Sequence, residues 1–183
     1  MAKTTKFVPR EGKDGIRFYV SDDAQEAYKI LMNGTRIDVR ATPTTCENCK
    51  VQNNAKRKQR YLQFKHALGG DLNILASHAV HLAWIGPIPD GYVVDHLNGI
   101  TTDNRASNLQ AVTPAENARR VPYQHALRDA IPHHWQTFTR EDYLRFYAMP
   151  FDDFCALLDT FIVGGFEAGC ARMEYDLTHH MEC

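Results

Sequence analysis

The residues richest in chemical possibility lie near one another in the chain: Asp95-His96-Leu97-Asn98-Gly99, then Asp103-Asn104-Arg105, Asn108-Leu109 and Glu116-Asn117. They offer a carboxylate, an imidazole and carboxamides. Such a set suits hydrolysis of a phosphodiester, which makes three demands. The attacking water must lose a proton, the leaving oxygen must be stabilised, and the non-bridging oxygens must be neutralised. A neutral imidazole with an ordinary pKa near ~6.5 can take the proton. Oxygen donors from Asp95 and Asn117 can hold a divalent cation for the other two tasks, with phosphate and waters completing its shell. Mg²⁺ is the first expectation, because it accepts few protein ligands and keeps its waters; Mn²⁺ is the alternative. Taken singly, Asp, His and Asn at such places are common turn formers. Only their combination argues for chemistry.

Those residues need elements to hold them. Tyr92-Val93-Val94-Asp95 reads as a short strand, Asn98-Gly99 as a turn, and Leu109 to Val112 as a returning strand. Thr113-Pro114-Ala115-Glu116 has the signature of a helix start: Thr as cap, Pro at the first helical position, Glu three residues after the cap. Upstream, Ser77 to Trp84 is apolar at helical spacing, and Gly86 to Gly91 is a Pro-rich and Gly-rich loop. Tyr61 to Leu68 and Leu72 to Ala76 read as a hairpin around Gly69-Gly70-Asp71. Near the start, residues 15–20 read as a strand. Ser21 then reads as the cap of a helix whose face is Ala24, Ala27, Tyr28 and Leu31, with Gly34 as its stop. Ile37 to Arg40 reads as a further strand. After Pro122 the chain reads as mainly helical. Thr139-Arg140-Glu141-Asp142 opens one helix; Phe151, Phe154, Leu158, Phe161 and Ile162 give another its apolar face, broken or kinked at Gly164-Gly165.

Residues 77–120 resemble the HNH endonuclease family, in particular its phage and intron-encoded homing type. The resemblance rests on Ala83-Trp84-Ile85-Gly86-Pro87-Ile88-Pro89, Val94-Asp95-His96-Leu97-Asn98-Gly99, Asp103-Asn104-Arg105-Ala106-Ser107-Asn108-Leu109 and Val112-Thr113-Pro114-Ala115-Glu116-Asn117. The intervals agree too: twelve positions from His96 to Asn108 and nine from Asn108 to Asn117. The resemblance implies a ββα-metal core with His96 as general base and Asp95 and Asn117 as metal ligands, Asn117 standing where the family name has its final His. Asn108 would tie the loop in place so that His96 is oriented. The chain departs from many relatives at Ser77-His78, where they carry His-Arg, so no DNA-contact role is transferred to His78.

Around this core lie other motifs. Lys50 to Gly70 contains no acid but carries Lys50, Lys56, Arg57, Lys58, Arg60 and Lys65. A charge run is usually a solvated face; beside a nuclease core, phosphate contact becomes the better reading, and Arg105 joins the same expectation. Cys46-Glu47-Asn48-Cys49 is half a zinc site with no evident second half. Reduced cysteines in a turn are the reading taken, and structural Zn²⁺ the alternative. Residues 140–183 carry three Arg and nine acids, a net of −6, against +5 for residues 1–139. The acidic tail is expected to pack on the core, with a homodimer or protein-partner surface through 140–183 as the alternative.

The sequence has 183 residues, 44% apolar and 23% charged, with a formal charge of −1. That balance excludes a disordered chain and a globally basic nucleic-acid binder. Met1-Ala2-Lys3 does not begin a signal peptide. The apolar stretch from Phe154 to Met173 is interrupted by Asp159, Glu167 and Arg172, so no membrane partner is expected and a cytoplasmic location is. The expectation is an α+β protein in three parts: a strand-helix (α/β) element at 1–43, the basic segment and nuclease core at 44–120, and an acidic helical region at 121–183. The expected activity is metal-dependent endonucleolytic hydrolysis of double-stranded DNA. The alternatives are an inactive nucleic-acid-binding module on the same fold and an interaction protein acting through its tail.

Overall fold

In a computed structural model, residues 3–45, 60–131 and 133–179 are described. The protein is α+β. Its packing falls into two compact units, one within Met1–His96 and Ile100–Pro114, the other within Leu97–Gly99 and Ala115–Cys183.

The first unit opens with an antiparallel meander of β1 (Thr5–Phe7), β2 (Arg17–Ser21), β3 (Ala27–Ile30) and β4 (Arg36–Asp38). Period-two alternation puts Phe18, Val20 and Ala27 into the core. On the other face Phe7, Tyr19 and Tyr28 meet across neighbouring strands, with ring centroids 5.7 and 4.9 Å apart. The helix expected from Ser21 is absent. Ser21 Oγ instead accepts the Glu26 amide at 3.0 Å and donates to Asp23 at 2.8 Å, which closes a turn in which Ala24 has φ of 61°. Ala27 and Tyr28 then alternate faces in β3. The side-chain oxygen that would cap a helix closes a turn equally well, and pairing with strands on both sides decides the outcome. The N-terminal element is therefore a four-stranded meander with one 3-10 turn at Lys13–Gly15.

A second sheet joins β5 (Ala41–Thr45), β6 (Arg60–Phe64) and β7 (Ile74–Leu75). β5 was not foreseen. It is an edge strand, where Pro43, opposite Leu62, can be tolerated despite its missing N–H. The expected limits at 43/44 and 120/121 fall inside β5 and inside a continuous helix, so composition did not mark the packing units. Then α1 (Ala76–Val80) runs on into a π-helical turn (His81–Ile85) that ends at Gly86, whose φ of 141° suits glycine. Trp84 donates its indole N–H to the Val20 carbonyl at 3.0 Å, so this helical stretch is tied to the first sheet. Val8, Phe18, Phe64, Ala79, Val80 and Leu109 are fully buried in the unit's core. On this platform stands the two-stranded ribbon of β8 (Val93–His96) and β9 (Leu109–Val112), in the expected places.

The second unit is helical: α2 (Pro114–Ala130), α3 (Arg140–Ala148) and α4 (Phe151–His179). α2 starts at Pro114 and continues through Pro122, which forfeits one main-chain hydrogen bond there. α3 opens on the expected capping box, with Thr139 and Asp142 each bonded to the other's amide. α4 is broken at Gly165, with φ 82° and ψ 174°, within the predicted pair. By length and composition Phe151–Glu174 could cross a membrane. In this fold, however, Phe154, Leu157, Leu158, Phe161 and Met173 bury one side of it with Tyr123, Leu127, Phe146 and Tyr147 of α2 and α3. Ile162, expected on that face, is exposed.

Candidate active site

The ribbon fixes the first two candidate residues. Asp95 lies opposite Gln110 and His96 opposite Leu109, so both end β8 where the chain turns away. Each is only 5% exposed. The loop that follows is held by its own side chains. Asn108, in the tight turn that leads into β9, donates its amide to the Asp103 carbonyl at 2.8 Å. Asp103 receives the Arg105 guanidinium through two bonds of 2.8 and 2.7 Å. The Ala106 amide donates to the Asp22 carbonyl at 2.7 Å, anchoring the loop to the end of the first sheet.

Within this loop Asn104 reaches the imidazole. Its Oδ1 lies 3.1 Å from His96 Nε2, and its own amide donates to Thr102 O at 3.2 Å. With Oδ1 as acceptor, Nε2 carries the proton and Nδ1 keeps the lone pair. Asn104 is 3% exposed. Burial lowers the His96 pKa from the ordinary histidine value, outweighing the raising effects of Asn104, Asp95 and Asp103. The ring is thus held neutral, the state a proton acceptor needs. Asn104 lies inside the motif, but nothing in its spacing assigns it a role. Eight positions of irregular loop separate it from His96, and no periodicity reports a contact of that kind.

Asn108 bonds within the loop, to the Asp103 carbonyl. Asn117 belongs to the second unit, half-buried in the first turns of α2. Beside it, Glu116 accepts from Arg119 twice and from Arg120 once, each at 2.8 Å. Those two guanidiniums, Arg119 first, hold the Glu116 carboxyl down at about 2. The turn after His96 is part of this same unit. Leu97 is fully buried in its helical core. Gly99 has φ of 68°, and a Cβ there would lie 3.0 Å from the Gln124 Cβ.

The oxygen donors suit a hard cation. Asp95 offers a buried carboxylate in the first unit and Asn117 a carboxamide in the second, each a hard oxygen donor. Among the described residues no group of three or more His, Cys, Asp or Glu side chains could hold a metal ion. Lys65 is exposed in the turn after β6, and Arg105 is exposed but paired with Asp103. Lys50, Lys56, Arg57, Lys58 and the cysteines Cys46 and Cys49 lie outside the described residues, as does the side chain of Arg60.

Comparison with known proteins bears on the same stretch. Residues 76–119, about a quarter of the chain, match the profile of the HNH endonuclease family. No curated protein and no solved structure matches the chain.

Proposed function

From the premise that residues 76–119 are an HNH endonuclease segment, we propose that the protein is a metal-dependent DNA endonuclease with His96 as its general base. The observation that carries this reading is the buried, neutral His96 at the end of β8, oriented by Asn104, inside the family-matched segment. His96 takes a proton from water. The hydroxide attacks phosphorus in line, and the 3′ oxygen departs, leaving 5′-phosphate and 3′-hydroxyl ends. Asp95 and Asn117 are the residues that would hold a divalent cation, Mg²⁺ or Mn²⁺. Bound there, it supplies charge stabilisation at the leaving oxygen and the non-bridging oxygens. Asn108 and Asn104 keep the loop and the imidazole in place, and double-stranded DNA is the proposed substrate. One such site cuts one strand, so a monomer nicks.

The test is nicking of a supercoiled plasmid in Mg²⁺, in Mn²⁺ and in EDTA. Cleavage is expected with either metal and none with the chelator. His96→Ala is expected to lose at least about a hundredfold in rate, the scale of general-base catalysis, while still binding DNA. Full activity in that variant would exclude the assignment of the base. DNA binding by the wild-type chain without cleavage in either metal would reduce it to a nucleic-acid-binding module on the same fold.

A further inference from the structure

Tyr147 lies in α3, far along the chain from the family-matched segment, and is 2% exposed. Three of its parts engage different groups. Its hydroxyl donates to the main-chain carbonyl of Leu97, the residue directly after His96. Its ring carries the Arg120 guanidinium, 4.8 Å from the centroid. Its own carbonyl accepts from Arg119 Nη2 at 2.7 Å. Arg119 and Arg120 both bond Glu116, which directly precedes Asn117. One residue thus contacts the turn that leaves β8 through its hydroxyl and the two arginines of the helical turn that carries Asn117 through its ring and its main-chain carbonyl.

A buried tyrosine needs some acceptor for its hydroxyl, and any carbonyl would serve that need. Here the acceptor belongs to a turn whose Leu97 side chain is fully buried in the same helical core. The other two contacts hold the arginines beside Asn117. All of them converge on the two segments that flank the proposed cation ligands. We infer that Tyr147 is a positioning residue for the proposed cation ligands, holding the turn after His96 and the first turns of α2 in register within the helical unit. This rests on the reading of Asp95 and Asn117 as cation ligands.

Tyr147→Phe in the full chain removes only the hydroxyl and leaves the ring for Arg120. Two readouts do not depend on cleavage: Mn²⁺ binding, followed by the spectrum of the free ion, and amide hydrogen exchange. Mn²⁺ binding is expected to weaken about tenfold, the lower end of the cost of losing an outer-shell partner. Exchange should quicken in residues 97–99, which lose the hydroxyl bond, and added metal should restore the cleavage rate. A merely structural tyrosine would lower Tm and leave the Mn²⁺ midpoint unmoved; that result overturns the inference. If Tyr147→Phe does not fold, Glu116→Gln loosens the arginine pair from the other end. It should also shift the midpoint, and an unshifted midpoint again overturns the inference. A wild-type chain that neither binds Mn²⁺ nor cuts DNA overturns the nuclease reading and the inference together. A wild-type chain that does both, alongside an unaltered Tyr147→Phe, overturns the inference alone.

Discussion

At the scale of single residues, the contact between His96 and Asn104 matters most. A general base must present the correct nitrogen, and a buried amide oxygen on Nε2 selects the tautomer with its lone pair on Nδ1. Asn104→Ala should therefore release the ring without removing it. The expected loss in cleavage rate is about 10–100-fold, the range seen when an orienting partner of a site is lost. DNA affinity, measured in EDTA, should not change. A wild-type rate in Asn104→Ala would show that the ring is held by other means. The elements that carry the candidate residues were legible from spacing: Asp95 and His96 stand in the predicted ribbon, Asn108 in the turn just before its second strand, and Asn117 in the predicted helix. The role of Asn104 was not, because a loop contact depends on how the chain folds back, which leaves no periodic trace.

At the scale of elements, capping and turn signals were reliable where the chain had no competing use for them. Thr139 and Asp142 close their box as expected, and Gly165 breaks α4. Ser21 misled because its oxygen serves a turn as well as a helix. The connection between α2 and α3 yields a prediction about pH. His134 is 1% exposed; its Nδ1 meets the Tyr143 hydroxyl at 2.9 Å and its Nε2 has no hydrogen-bond partner among the described residues. Burial, aided by the Arg128 charge, pushes its pKa down to about 4. Above pH ~6.5 the ring is neutral in folded and unfolded chains alike, and it costs nothing. Between about pH 6.5 and 4 only the unfolded chain takes the proton, so stability falls, by on the order of 3 kcal/mol over the full window. Tm should drop between pH 7 and pH 5, and His134→Phe should flatten that slope. An equal slope in the variant would assign the acid sensitivity elsewhere.

At the scale of the whole molecule, charge is divided along the chain rather than spread evenly. The acidic stretch 140–183 contains α3 and α4, whose apolar sides are buried together with α2. Basic residues collect between Lys50 and Lys65. Replacing Lys56, Arg57 and Lys58 together with Ala should weaken DNA binding. It should also flatten the salt dependence by up to about three charges' worth of counterion release, each near ~0.9 in the log–log slope. Binding unchanged at every salt concentration would show that the basic run is only a solvated face. The site residues themselves are untouched by that substitution, so a plasmid assay at saturating protein should still nick.

Residue type, spacing and local propensity were enough to give the ribbon, the helix after it, the chemistry of an acid, an imidazole and amides, and the family segment that holds them. These are short-range properties: a strand alternates, a cap sits at a helix start, and a motif repeats its intervals within some forty residues. Three things depended on the tertiary structure: that the N-terminal element is a four-stranded meander, that Asn104 reaches the His96 ring, and that the turn after His96 belongs to the helical unit with Leu97 in its core. Each involves groups brought together by burial and pairing across the fold. Hydrophobic association does not record its partners in sequence order, and a hydrogen bond to a main-chain carbonyl leaves no mark on the side chain of the residue that accepts it.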